Sequence, residues 1–363
     1  MNITVGQNNL RRALNITERV VSRNTTLPIL QNVILKTEQG RLRITATNLE
    51  LAVTVTIGAK IEEVGEIAIP GKILTELMNA LTGDTVTLIT KQETLAITTD
   101  GQDTKVLGSS TKEYPIIPKI SDGNIVIVSA TALKRSLSVA MESAAVTDSR
   151  PELAGVFMRW EKGKIICAAT DGFRLVEQII PAVVKESLSI IIPRSTAAEI
   201  VRIVNDGDET ITIKINENQM SVSGDNYELI SRLVDGKYPE YHRLIPDKGQ
   251  ARVLVSCQEL EKNIKLAGLF SSSISDITVS CEQETLTVVS QNSDRGEAKA
   301  TVPAVLKGDS FSLSVNYKYL LDGLRAANSD KVILEFTSTT GPLVVRPAGD
   351  EKSIVYLLMP LRK

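Results

Sequence analysis

Residues 168–178 read AATDGFRLVEQ, so Asp171, Gly172 and Arg174 stand together between two apolar runs. A carboxylate so placed can act as a general acid or base, and a guanidinium can clamp an anionic group. Catalysis by Asp171 would call for a second titratable group at a defined spacing, and no partner carboxylate is found at one. TDG between two strands is equally a turn signal. The residues alone favour a binding or structural loop and leave an enzyme using Asp171 and Arg174 as an alternative.

The remaining chemistry is sparse. His242 is the one histidine, and its surroundings, YPEYHRLIP, have no metal-ligand spacing. No Walker A, GxGxxG or GxSxG motif occurs. Cys167, Cys257 and Cys281 are far apart, odd in number and without a CxxC pair, so reduced thiols are expected rather than zinc or disulfides. NDGDET (Asn205–Thr210) lacks the alternating ligands of a calcium loop and reads as a turn. No catalytic residue, cofactor or metal is expected.

Composition sets further bounds. Lys plus Arg (41) nearly balance Asp plus Glu (43), so a nucleic-acid partner would have to be met by a local basic patch. Five Phe, seven Tyr and one Trp are too few for stacking many exposed bases. MNITVGQNNLRRAL has no apolar signal core, and no run approaches the ~18 apolar residues of a membrane span. A cytoplasmic protein without a membrane partner is expected.

The elements that position these residues come in three copies. ITVGQNNLRRALNITERVV from Ile3, VIVSATALKRSLSVAMESA from Val126 and VLVSCQELEKNIKLAGLFS from Val253 each read as strand, turn and amphipathic helix. Val5, Val128 and Val255 correspond, as do Leu10, Leu133 and Leu260, and Leu14, Leu137 and Ile264. A second triplet starts at Gly65, Leu188 and Phe311, with Pro70, Pro193 and Asn316 at its helix starts. Two short strands follow each second helix, and alternating segments fill the space between the helices. The predicted fold is α+β, with three repeated domains of about eight strands and two helices each. The domains are expected at 1–121, 122–248 and 249–363, joined by YPIIPKISDGN and YPEYHRLIPDKGQ.

Basic residues recur at matching places. Arg12, Arg135 and Lys262 share one position on the first helices, Arg11 and Lys134 share the one before, and the second helices open with Lys72, Arg194 and Lys318. Arg202 and Arg325 lie further along them. Six helices with basic faces would suit one surface facing phosphates. A ~120-residue domain is ~35 Å across, so three in a ring leave a hole of a few ångströms and six leave one of ~17 Å radius. A duplex passes only the second, which two chains related by a twofold axis would close.

TLPIL (Thr26–Leu30), ATDGFRL (Ala169–Leu175), LVDGKYPEY (Leu233–Tyr241) and YLLMPLRK (Tyr356–Lys363), with the threefold repeat and the length, carry a resemblance over the whole chain. The chain resembles the bacterial DNA sliding clamps, the β subunits of the replicative DNA polymerase III. The resemblance implies the DNA clamp fold, a homodimer closing six domains into a ring around double-stranded DNA, and neither enzymatic activity nor a cofactor. It also implies a pocket that takes short linear motifs from the replicative polymerase, the clamp loader and repair proteins.

Carried over residue by residue, that pocket comprises Leu153, Thr170, Gly172, Phe173, Arg174, Leu175, Pro239, Arg243, Leu244, Pro342, Leu343, Leu357, Met359, Pro360, Leu361 and Arg362. Phe173 departs from members that carry His there. Tyr356–Met359 are expected to complete a sheet. Arg23, Asn24 and Arg150 join the repeat-equivalent basic residues as candidates for facing DNA, and Leu107, Leu269 and Phe270 for the dimer contact. A protein-interaction scaffold that works without DNA is the alternative from another class.

Overall fold

The computed structural model describes residues 1–21, 26–147, 149–183, 186–205, 207–246 and 248–361. Arg23, Asn24 and Arg362 fall outside the described residues.

The first third of the chain runs β1 (Asn2–Gly6), α1 (Gln7–Thr17), β2 (Asn32–Glu38), β3 (Arg41–Thr47), β4 (Leu51–Glu63), β5 (Glu66–Pro70), α2 (Gly71–Ala80), β6 (Thr85–Lys91), β7 (Thr94–Thr99) and β8 (Gln102–Leu107). The second third repeats this order as β9 (Asn124–Ser129), α3 (Ala130–Ser143), β10 (Gly155–Glu161), β11 (Lys164–Thr170), β12 (Arg174–Pro181), β13 (Leu188–Pro193), α4 (Arg194–Ile203), β14 (Thr210–Ile215), β15 (Gln219–Ser223) and β16 (Tyr227–Arg232). The last third follows with β17 (Ala251–Ser256), α5 (Cys257–Gly268), β18 (Asp276–Glu282), β19 (Thr285–Asn292), β20 (Gly296–Gly308), β21 (Phe311–Asn316), α6 (Tyr317–Ala327), β22 (Lys331–Phe336), β23 (Leu343–Pro347) and β24 (Ile354–Leu358). Among the described residues each third thus carries the expected eight strands and two α-helices.

By contacts the chain forms two compact units, Met1–Lys134 with Ala198–Leu233, and Arg135–Ala197 with Val234–Lys363. Two of the three dividing lines fall inside α3 and α4, and the third falls between Leu233 and Val234, just after β16.

In the first unit one antiparallel sheet runs β8-β7-β6-β1-β4-β16-β15-β14-β9, with β3, β2 and β5 branching from β4. Ile3 and Val5 alternate inward on β1, and α1 lays Leu10, Ala13 and Leu14 on the core, as period-two and period-3.6 patterns require. The Gln7 amide donates to the Leu81 carbonyl at 2.6 Å, which ties the start of α1 to the end of α2. β16 pairs with β4 from Tyr227↔Val55 to Ser231↔Leu51, so a strand of the second repeat extends the first repeat's sheet.

The second unit has a sheet in the order β13-β10-β11-β12-β24-β23-β22-β17-β20-β19-β18-β21. Its core includes Trp160, Leu260, Ile264, Leu320, Leu324 and Tyr356. The same seam recurs here, with β24 on β12 from Arg174↔Leu358 to Gln178↔Ile354.

Two local expectations shift. Pro70 and Pro193 end β5 and β13 rather than sitting inside the first helical turn, because a fixed φ also suits an extended strand end. Asn316 caps α6 as expected, accepting from the backbone N–H groups of Lys318 and Tyr319. Among the described residues no helix is long and apolar enough to cross a membrane.

Candidate functional site

The TDGFR loop between β11 and β12 is fixed from within. Asp171 Oδ1 accepts the backbone N–H groups of Phe173 (2.9 Å) and Arg174 (3.0 Å), a side-chain turn that a short carboxylate favours. Its Oδ2 takes Arg174 Nε at 2.9 Å, while Arg174 Nη1 reaches Asp322 Oδ2 of α6 at 2.5 Å. The guanidinium lies 4.4 Å from the centre of the Tyr319 ring. Asp171 is therefore spent as a loop cap and Arg174 as a clamp between β12 and α6. Both groups are paired, so neither Asp171 nor Arg174 stands as the free acid or anion clamp of the first reading. Gly172 sits at φ +90°, where a side chain would be strained.

Thr170 holds the loop's base. Its hydroxyl donates to the Arg174 carbonyl (2.6 Å) and accepts from Gly172 N–H (3.1 Å), and its own N–H bonds the Tyr238 hydroxyl (3.0 Å). Met359 N–H bonds the Phe173 carbonyl at 2.8 Å and locks the chain end beside the loop. Below lies an apolar cluster holding Leu153, Leu175 and Leu357 with Tyr238 and Tyr241. The rings of Phe157 and Tyr238 stack at 4.9 Å. Burial raises the Tyr238 phenol above its ordinary range, and burial with the neighbouring Glu177 carboxylate does the same for Tyr241. Both stay neutral hydroxyls, and Tyr241 donates to Glu177 at 2.6 Å. His242 joins this network through Glu177 (3.3 Å) and Arg159 (2.9 Å) and has a structural place in it.

Three of the expected lining residues, Phe173 (66% exposed), Leu244 and Met359, present apolar surface to solvent around this floor. Pro239 and Arg243 are exposed, and Pro360 and Leu361 are half-buried. Leu361 N–H bonds the Ser314 carbonyl. Leu343 is 0% exposed in β23, opposite Leu358, and lies buried like Leu175 and Leu357. The Pro342 carbonyl accepts from the Thr337 hydroxyl. β24 stops at Leu358, so Met359 follows the strand rather than completing it. The sequence reading missed Tyr238, Tyr241, Tyr319 and Asp322 as builders of the site. The YP doublet was visible in both linkers, but α6 is too distant in sequence for Asp322 to be inferred from local pattern.

The repeat-equivalent basic residues divide into two groups. Arg11, Arg12, Lys72, Arg135, Arg202, Lys262, Lys318 and Arg325 are exposed on helices, and Arg150 is exposed in a loop. Lys72, Arg202 and Arg325 make ion pairs along their own helices, with Glu76, Glu199 and Asp322. Lys134 and Arg194 are half-buried and donate to carbonyls at helix ends, Val204 (3.2 Å) and Met141 (2.8 Å). Cations suit the negative end of a helix, and these two are committed to holding structure.

Leu107 is exposed at the end of β8, which pairs with β7 alone along its length. Leu269 is exposed after α5, and Phe270 is half-buried against Gly296, where β20 begins. The first half of β20 pairs with β19 and, among the described residues, has no strand on its other side. Among the described residues β8 and the first half of β20 thus each present an edge that no strand pairs, as do the outer strands β5, β9, β13 and β21. Among the described residues no group of three or more His, Cys, Asp or Glu could hold a metal ion.

Sequence profiles for the N-terminal, central and C-terminal domains of the DNA polymerase III beta subunit match residues 1–118, 128–240 and 242–362. The beta sliding clamp of Staphylococcus aureus is 28% identical over 375 residues, an alignment covering 100% of this chain and 99% of that one. The beta sliding clamp of Staphylococcus epidermidis is similar to the same degree, 28% with 100% and 99% covered. Among solved structures, the Bacillus subtilis DNA polymerase sliding clamp superposes with a TM-score of 0.95 at 24% identity, covering 100% and 99% of the two chains. The Pseudomonas aeruginosa sliding clamp bound to griselimycin does so with 0.95 at 24% identity, covering 100% of both. At that identity the likeness speaks for the fold.

Proposed function

The chain belongs to the DNA polymerase III beta subunit family, and we propose that it works as a DNA sliding clamp closed from two copies around duplex DNA. In this reading three domains, at 1–121, 122–248 and 249–363, make up each half of a ring. The replicative polymerase, the clamp loader and repair proteins dock through short apolar motifs against the exposed Phe173, Leu244 and Met359, above the buried Leu153, Leu175 and Leu357. The exposed helical cations face the duplex, catalysis is absent, and the cytoplasm is the working compartment. Phosphate contacts of this kind are independent of sequence and weaken with salt, so retention comes from encirclement.

One observation carries the assembly. Each seam between repeats is a strand pair, β4 with β16 and β12 with β24, and the unpaired edges of β8 and of the first half of β20 are the missing partners of the same pattern. Rungs of the sheets make Thr104 equivalent to Leu229 and Tyr356: Ile3↔Leu88, Leu88↔Ile97, Ile97↔Thr104 in the first repeat match Val126↔Ile213, Ile213↔Val222, Val222↔Leu229 in the second. The third gives Val253↔Leu334, Leu334↔Val345, Val345↔Tyr356. Ile61 opposite Ile3 corresponds to Leu306 opposite Val253, and counting back equally gives Val53 and Ala298. Since Val53 pairs with Leu229, Ala298 of one protomer meets Thr104 of its partner. That register sets Lys299 against Asp103 and Glu297 against Lys105, opposite charges directly across a ladder. A twofold axis makes the contact twice and pairs both of these edges in each protomer.

The test is retention on DNA. The protein is loaded with a matching clamp loader and ATP onto nicked circular plasmid, half of the sample is linearised, and both halves pass through a sizing column in moderate salt. A clamp stays on circles and runs off cut ends. Equal loss from both sinks the reading and leaves the protein-interaction scaffold.

A further inference from the structure

The loop geometry of the candidate site is built a second time, in the first unit. Thr47 N–H bonds the Tyr114 hydroxyl at 3.0 Å, as Thr170 bonds Tyr238. The Thr47 hydroxyl donates to the Leu51 carbonyl (2.9 Å) and accepts from Leu49 N–H (3.1 Å), as Thr170 does with Arg174 and Gly172. Asn48 Oδ1 accepts from Glu50 N–H (3.0 Å) and Leu51 N–H (2.8 Å), in the manner of Asp171. Arg232 N–H bonds the Glu50 carbonyl at 2.9 Å where Met359 bonds Phe173. The loop, the YP linker and the end of a seam strand thus form the same cradle, and a surface hollow lies among them.

The two cradles differ in what they present. The position of Gly172 is taken by Leu49, held at φ +78°. A leucine there is a backbone outlier, and such strain persists where a side chain is needed in a particular place. Leu49 is 45% exposed, and Ile116, two residues after Tyr114, is 94% exposed. Pro115, Ile117 and Pro118 extend the apolar wall. At the place of Met359 stands Arg232, whose guanidinium is 60% exposed and meets Glu50 at 3.5 Å. An exposed pair of this kind is weak and exchanges readily for another carboxylate.

We infer that this hollow is a second peptide-binding site, for an extended segment of a partner protein with an acidic residue beside two large apolar ones. The apolar side chains lie against Leu49 and Ile116, and the carboxylate pairs with Arg232. At this position the other cradle carries the uncharged Met359, whereas among the described residues Arg232 stands here with only the exposed Glu50 as its ion-pair partner. The inference rests on the proposed role of the second unit's cradle as a peptide site.

The probe is the fluorescein-labelled peptide Gly-Ser-Asp-Leu-Leu-Gly, titrated against the full chain by anisotropy and calorimetry. Leu49→Gly removes the side chain and relieves the strain, so it keeps the fold. Ile116→Ser changes a solvent-facing residue. Phe173→Ser with Leu244→Ser disables the other cradle. The expected result is a binding event weakened at least tenfold by Leu49→Gly or Ile116→Ser, weakened similarly when Asp in the peptide becomes Ser, and kept in the Phe173/Leu244 variant. A single event abolished by the Phe173/Leu244 change and indifferent to Leu49→Gly overturns this inference alone. An event lost only with Leu49 or Ile116 supports it and removes the second unit's cradle as a site for this peptide. No saturable binding to the unaltered chain overturns it outright.

Discussion

Tyr356 occupies the space over Gly323 that a side chain would need: a Cβ built on Gly323 would lie 2.6 Å from the Tyr356 ring. Tyr356 is buried in β24, the strand that closes the seam onto β12, and Gly323 lies in α6, which packs on that strand. The glycine therefore sets how closely the helix approaches the sheet that carries the candidate site. Gly323→Ala should force ring or helix aside and cost about 1–3 kcal/mol, the usual range for overpacking. Trp160, the chain's one tryptophan and fully buried in the same unit, reports the loss as an earlier fluorescence transition in urea. An unchanged midpoint would mean the helix stands off further than the geometry gives.

The two cradles offer a swap. Arg174→Leu places in the second unit the residue that the first carries as Leu51, but it strands Asp171 without its cation, while Asp322 keeps Arg325. Removing one partner of a largely buried pair costs about 3 kcal/mol or more. Adding Asp171→Asn copies Asn48 as well and keeps the acceptor for the two backbone N–H groups. The double variant should recover at least about 1 kcal/mol relative to Arg174→Leu alone, a coupling that a double-mutant cycle in urea measures directly. Additive effects would mean that the ion pair does not hold the loop.

The third prediction concerns alkaline pH. Burial pushes the Cys167 thiol up to about 12 from 9.0 and the Tyr114 phenol up to about 12 from 10.0. A raised acid is neutral in the folded state, so its contribution is whole below the unfolded pKa and is lost as pH rises towards the folded one. Stability should hold to about pH 9 and then fall towards pH 12, by at most about 1.4 kcal/mol per pH unit per group. Tyr114→Phe should melt lower at pH 7, having lost its bonds to Thr47 and Asn32, but its melting temperature should fall less steeply above pH 10. A parallel pH profile for the two proteins would refute the assignment.

Much of this architecture was legible in the sequence because it repeats. Val5, Val128 and Val255 sit at the same place on β1, β9 and β17, since strand and helix periods are local and survive divergence. The seams were not legible, because pairs such as Arg174↔Leu358 join residues far apart along the chain. The character of the site was half readable. TDGFR announced a loop with charge, but whether Arg174 was free or consumed depended on Asp322 and Tyr319 in a helix that no local pattern connects to it. Lys134 and Arg194 show the same limit from the other side. Repeat position marked them as equivalent to exposed cations, while packing tied them to helix-end carbonyls.

That division separates two kinds of basic residue by experiment. Reversal to Glu at Arg12, Arg135 and Lys262 should leave melting within about 0.5 kcal/mol of the unaltered chain, since all three are exposed. It should still shorten polymerase runs and weaken the salt-dependent association with DNA. Lys134→Met with Arg194→Met should lower stability instead, by about 1–2 kcal/mol for each charged hydrogen bond lost. Equal loss of processivity in both sets would return Lys134 and Arg194 to the DNA-facing group.

The last prediction tests the register between protomers. Asp103 and Lys105 point outward from β8, Glu297 and Lys299 outward from β20, and the inferred ladder sets Asp103 opposite Lys299 and Lys105 opposite Glu297. Asp103→Lys alone brings three lysines together, and Lys299→Asp alone brings three carboxylates together, with like charges facing across the ladder. Each should shift the protein towards monomers in sedimentation at low salt, raising the dimer Kd about tenfold, with the difference shrinking at 1 M salt as screening sets in. Combining both changes restores opposite charges in exchanged order and should recover most of the affinity. Rescue by this pair, and none when Asp103→Lys is combined with Glu297→Lys, fixes the register to the residue. A slip by two residues would pair Asp103 with Glu297 or Thr301 and leave the exchanged pair without rescue.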